Sequence, residues 1–170
     1  TGKIKNIMNN YLNVFQKTAV KIKISLPEKN QIEIKTGIWL DSVVLKIQKN
    51  NWKNITESNS ISKSEIFFSV WMEEKSIKKN QIFYNIHAFK LRNLKGYKIE
   101  SRDFAEEFRK RFKKFESLFP NVSVKHGPLT LMQGWIEIHP DAIENDIFKL
   151  TEQFLNIHFI IDELLEERKI

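Results

Sequence analysis

The sequence predicts an α+β domain with a mainly antiparallel sheet, and three observations point there. Apolar residues recur at three- and four-residue spacing near both ends and in the middle of the chain, as in amphipathic helices. Between them lie aromatic and β-branched stretches of strand length. The strands also follow one another instead of alternating with helices, which argues against the βαβ units of a parallel sheet. The expected architecture is one domain over residues 1–170. Its sheet should have about five to seven strands, packed by an N-terminal helix, a Phe-rich middle helix and a long C-terminal helix.

The elements follow in order. Ile4, Ile7, Met8, Tyr11, Leu12 and Phe15 carry the helical period, so residues 3 to about 17 are read as a helix. Val20, Ile22, Ile24 and Leu26 then alternate with polar residues, which reads as a strand ended by Pro27 and turned by Glu28, Lys29 and Asn30. Ile32 and Ile34 continue the alternation, and a second apolar stretch runs through Ile47 to Trp52, giving two strands with a bend or bulge at Gly37 or Asp41. The polar segment 53–64 is a surface loop. Strands are expected at 66–72 and 81–91, long neighbours joined by a hairpin connection over 73–80.

Leu94 to Lys98 leads out of the sheet, and Ser101 is the expected N-cap of a helix whose Asp103 suits the positive N-terminal end. Phe104, Phe108, Phe112 and Phe115 form its apolar stripe, Phe119 lies just beyond, and Pro120 stops it. Val122 with Val124, and then 131–138, read as two short strands around the turn residues His126, Gly127 and Pro128. Asp141 and Glu144 have capping-box spacing and open a helix expected to reach about Arg168.

Composition excludes several function classes. Among 170 residues, 13 Phe and 4 Trp against 5 Gly and 4 Pro supply a core and argue against disorder. With no Cys there are no disulfides, thiolate metal sites, iron–sulfur clusters or cysteine nucleophiles, and a cytoplasmic location is expected. The first residues show no signal-peptide or lipidation pattern, and no apolar run is long enough to span a membrane. The scattered glycines form no phosphate cradle, and no nucleophile elbow or zinc-binding histidine pair occurs, so no cofactor is identified.

What remains is a set of expectations. Net charge is +7, which permits nucleic acid or another polyanion as partner. Arg102, Arg109, Lys110, Lys113 and Lys114 lie away from the Phe stripe and form a candidate anion surface, although Glu106 and Glu107 can neutralise part of it. Asn85 and His87 share one face of their strand between Phe83 and Phe89, a candidate pocket. His158 can pair with Asp162 one turn on. Glu73 and Lys75 have the Glu-x-Lys spacing of metal-dependent nucleases, with Asp41 upstream as a second carboxylate. The wide apolar surface of the C-terminal helix, including Phe148, Leu155, Phe159, Ile160 and Leu165, suggests a homodimer. The leading expectation is a noncatalytic binding domain; the alternative is an enzyme with a site assembled only in the fold.

Overall fold

The computed structural model describes residues 2–26, 31–54 and 63–170. In chain order it comprises α1 (Gly2–Ser25), β1 (Ile32–Trp39), β2 (Ser42–Lys49), β3 (Glu65–Met72), α2 (Glu74–Lys78), β4 (Gln81–Phe89), α3 (Ser101–Phe112), β5 (Thr130–Glu137), α4 (Ile143–Ile157) and α5 (Phe159–Glu166). The strands form one five-stranded sheet in sequence order, every neighbouring pair antiparallel. The α+β class, the antiparallel sheet and the three packing helices are as the sequence predicts.

The N-terminal reading needs correction. A single helix replaces the shorter helix and the strand expected around Val20 to Leu26. Met8, Phe15 and Ile22, seven residues apart, are buried with Thr18, whereas Val20 and Ile24 are 57% and 81% exposed. The alternation at 20–26 was one buried helical position flanked by two solvent-facing β-branched residues. Helix propensity there is modest, and packing of α1 on β1, β2 and α4 overrides it. The turn expected at 28–30 and most of the loop expected at 53–64 lie outside the described residues.

Leu40 and Asp41 join β1 to β2, both with positive φ (50° and 62°), the mirror-image two-residue turn whose twist matches the flanking strands. Thus Asp41 lies in the turn, while Gly37 lies inside β1 opposite Val44. β3 and β4 pair along their length, and their connection contains the short α2. Ser76 Oγ accepts the Glu73 N–H at 2.8 Å and donates to the Glu73 carbonyl at 2.9 Å, closing that turn.

Further along, Glu100, not Ser101, caps α3: its carboxylate accepts the Asp103 N–H at 3.3 Å. Phe104, Phe108 and Phe112 are buried, and a 3-10 turn over Lys113–Leu118 returns Phe119 to the core beside Tyr84 and Phe112. Val122 and Val124 form no strand of their own. Only Ser123 between them pairs, exchanging backbone bonds of 2.7 and 3.0 Å with Gln133, because Pro120 and Pro128 bracket a segment too short for a ladder. The capping box at Asp141 is also absent: Ala142 is the N-cap, and Glu144 pairs with Lys21 at 2.8 Å. The long C-terminal helix expected from the sequence is present but bent at His158, which divides it into segments of 15 and 8 residues. There His158 Nδ1 meets the Leu155 carbonyl at 2.6 Å, and Asp162 pairs with Lys49 and accepts the Trp52 indole N–H at 2.8 Å instead of pairing with His158.

Phe154 of α4 stacks on Phe68 of β3 with centroids 4.2 Å apart, and Trp52 meets Phe154 edge-on at 6.2 Å. Together with Ile22, Leu45, Tyr84 and Phe112 they form one buried cluster on one face of the sheet. Gly134 sits in that face opposite Tyr84, whose hydroxyl donates to the Pro120 carbonyl at 2.7 Å. A Cβ at Gly134 would overlap the Tyr84 ring and approach the Pro120 oxygen to 2.9 Å. We therefore expect Gly134→Ala to lower stability by about 1–3 kcal/mol, read as a reduced urea midpoint at unchanged slope; an unaltered midpoint would contradict this packing.

Candidate binding face of the sheet

Because successive strand residues point to opposite sides, the residues between the core positions form a second face. Among the described residues no helix packs on that face. It is a hollow of about 710 Å³ lined by residues of β1, β2, β3 and β4, together with Leu40 and Lys63.

The strand register orders this face into rows. In one, Gly37, Val44, Trp71, Phe83 and Trp135 lie side by side across the strands. The next holds Lys35, Lys46, Ser69, Asn85 and Gln133, and beyond it Phe67 lies opposite His87. Trp71 stacks on Phe83 at 5.5 Å. Phe67 faces His87 at 4.8 Å, and His87 stacks on Phe89 at 5.8 Å. Between these groups the Ser69 hydroxyl donates to Asn85 Oδ1 at 2.6 Å. Trp39, 46% exposed, folds its indole back over Gly37, where any Cβ would meet the ring at 2.9 Å.

Charge is organised around Glu65, which is buried. It forms an ion pair with Lys46, lies 3.2 Å from Lys63 and accepts the Gln48 amide N–H at 3.3 Å. Burial pushes the Glu65 carboxyl up, but the hydrogen bond and charge of Lys46, joined by Lys63, outweigh it and hold the group below its ordinary value. Burial draws the Lys46 ammonium down, opposed by Glu65, and the pair stays ionised. Lys46 Nζ also lies 4.3 Å from the Phe67 ring centroid, within cation–π range. Lys35, on the same row, is exposed and has no ion-pair partner among the described residues. Among the described residues, three ammonium groups against one carboxylate leave the hollow positive.

Chemically this is a surface for stacking and charge pairing. Lys46 is committed to Glu65, and His87 lies between two phenyl rings with burial lowering its pKa, so it presents a flat neutral imidazole.

The structure places the residues singled out from the sequence as follows. Asn85 and His87 both line the hollow. The cations of α3 are largely engaged elsewhere. Arg109 donates to the backbone carbonyls of Leu131, His126, Gly127 and Thr130 at 2.9–3.2 Å, clamping the loop before β5. Lys110 pairs with Glu107 at 3.0 Å, and Arg111 pairs with Glu167 at 2.6 Å and Glu163 at 3.5 Å. Lys113 and Lys114 are exposed, the latter beside Phe115, and Arg102 is exposed at the start of the helix. Asp41 is in the β1–β2 turn, Glu73 caps α2 and Lys75 is in it. Among the described residues no group of three or more His, Asp or Glu side chains is arranged to hold a metal ion.

The apolar width on which the sequence bases a homodimer is mostly covered within the chain. Ile160 and Leu165 are buried, Phe148 and Leu155 half-buried, and Phe159, 39% exposed, sits edge-on to Phe115 at 6.0 Å. Among the described residues no helix is long and apolar enough to cross a membrane. Sequence reasoning missed Trp39, Lys46, Glu65, Phe67 and Trp71 as a site. The available signal was in β3, where Phe67 and Trp71 fall out of phase with the buried Ile66, Phe68, Val70 and Met72. Comparison with protein-family models, curated proteins and solved structures finds no match to this chain.

Two outcomes follow. Arg109→Met should cost about 1.5–3 kcal/mol of stability in urea unfolding, because charged hydrogen bonds to four backbone carbonyls are lost; a variant as stable as the parent would return Arg109 to the anion surface. His87 and His158 are both held below their ordinary value near 6.5, chiefly by burial. The unfolded chain therefore binds protons more readily, and stability present above about pH 6.5 should fall as pH drops through the depressed folded values. The urea midpoint should decline from pH 7 to 5, and His87→Gln with His158→Gln should flatten that decline; an equally steep decline in the double variant would show that other groups cause it.

Proposed function

We propose that this protein is a noncatalytic binding domain for a polyanion, with nucleic acid as the ligand class, and that the uncovered sheet face is its binding surface. One observation carries the reading: the helices pack one side of the sheet, while the other presents stacked aromatic rings beside Lys35, Lys46 and Lys63, only partly neutralised by Glu65. A positive groove with aromatic platforms is the recurrent solution for ligands that combine flat rings with phosphates. The α3 surface is the weaker candidate, because Arg109, Lys110 and Arg111 already have protein partners.

Titrations at low and physiological salt with nucleic acid, polyphosphate and a polysulfate test this directly. Binding should weaken with rising salt and fall on combining Lys35→Glu with Lys63→Glu. Combining Lys110→Glu, Lys113→Glu and Lys114→Glu should change it little. Absence of binding to every polyanion at low salt would remove the proposal, and dependence on the α3 variants alone would move the surface to that helix.

A further inference from the structure

Resting on that reading, we propose that the ligand is a single strand of nucleic acid, not a duplex, held on two aromatic platforms with a polar slot between them. The first platform is Trp71 on Phe83, with centroids 5.5 Å apart and planes within 21°. The second is His87 stacked on Phe89 at 5.8 Å and 19°, with Phe67 at 4.8 Å. On both β3 and β4 the platforms are four residues apart, Phe67 to Trp71 and Phe83 to His87, about 13 Å along the strand.

The row between them is polar. Ser69 and Asn85 are paired at its centre, and the Ser69 hydroxyl occupies Asn85 Oδ1, which leaves the amide N–H groups as the side chain's remaining donors. Lys46 and Lys35 continue this row across β2 and β1. Bases stacked on the two platforms would bring the linking phosphates over this slot, where Lys35 is unpaired among the described residues and Lys46 adds its charge.

Duplex geometry does not fit. Its bases are stacked on each other at about 3.4 Å and paired at their edges, so their faces are closed to protein rings; a single strand can splay its bases onto such platforms. Charge complementarity chooses a nucleic acid over an apolar partner or a second copy of this chain, because the hollow keeps a surplus of cations amid its rings. With about two phosphates neutralised, log K should fall against log salt with a slope near −1.4.

The whole chain would be titrated with an oligothymidylate of about ten nucleotides, a hairpin duplex of matching length, and polyphosphate, following tryptophan fluorescence. The strand should bind at least about tenfold tighter than the duplex and quench emission. Trp71→Ala and His87→Leu should each reduce strand affinity about 5- to 150-fold and polyphosphate affinity by much less, because polyphosphate has no rings to stack. Circular dichroism would confirm that each variant is folded; Phe83→Leu is the milder substitution for the first platform should Trp71→Ala fail to fold. Equal affinity for strand and duplex, or strand binding indifferent to both platforms, overturns the inference and leaves the polyanion reading standing. Loss of all polyanion binding in the parent protein overturns both. Light scattering that finds a stable dimer, undissociated by the strand and with the face buried, also overturns it.

Discussion

Packing on one face alone is the constraint from which the rest of this structure follows, because an antiparallel strand sends alternate side chains to opposite sides of the sheet. α1, α4 and α5 join the sheet in one apolar cluster, and α3 adds its Phe side chains to the same side. Among the described residues no helix covers the second face, which is ordered from within the sheet. It achieves this through cross-strand pairs: Trp71 with Phe83, Phe67 with His87, and Ser69 with Asn85 are direct partners in the register. Each such pair contributes roughly 0.2–1 kcal/mol relative to alanines, enough to order the rings against one another while leaving them accessible.

The Lys46–Glu65 pair is the feature of this face that stability explains least. Burying a carboxylate carries a desolvation cost, which Lys46 and Lys63 together outweigh for Glu65, yet packed apolar groups of similar volume are often equally stable or better than a buried ion pair. Glu65 is nevertheless buried, with Gln48 completing its hydrogen bonds. Its physical effect is to fix the Lys46 ammonium above the Phe67 ring at a set position on the sheet. A lysine held by a partner loses less side-chain entropy when it meets an anion than a free one does.

The sheet was legible because β2, β3 and β4 combine strand length with β-branched and aromatic residues bounded by turn residues, a local pattern that matches the tertiary one. The N-terminal helix was misread where that agreement fails. Val20, Ile22 and Ile24 alternate like a strand, and only the seven-residue recurrence of Met8, Phe15 and Ile22, fixed by contacts with distant β2 and α4, makes the segment a helix. The bend at His158 was hidden for a similar reason, since the residues tying α5 to the sheet, Trp52 and Lys49, are more than a hundred positions away from Asp162. On the candidate site, Asn85 and His87 could be placed on one strand face from alternation alone. Their neighbours Lys46, Ser69 and Phe67 come from other strands, and register is not written in any one segment.

Charge that is conspicuous in the sequence is not always charge that is free to act. The run of cations in α3 stands out in the sequence because it is contiguous, yet contiguity on a helix also brings it within reach of Glu107 one turn away and of Glu163 and Glu167 on α5. Arg109 is drawn further still, into a fork of backbone carbonyls of the loop before β5 and the start of that strand. On the sheet face Lys46 and Lys63 share the Glu65 carboxylate, Lys35 on the same row has no ion-pair partner among the described residues, and the Lys46 ammonium lies against the Phe67 ring, which water solvates poorly. The overall positive charge can raise the encounter rate with any polyanion from a distance. At contact, screening leaves only the nearest groups effective, and there a cation fixed beside aromatic rings differs physically from a solvated helix of self-paired charges.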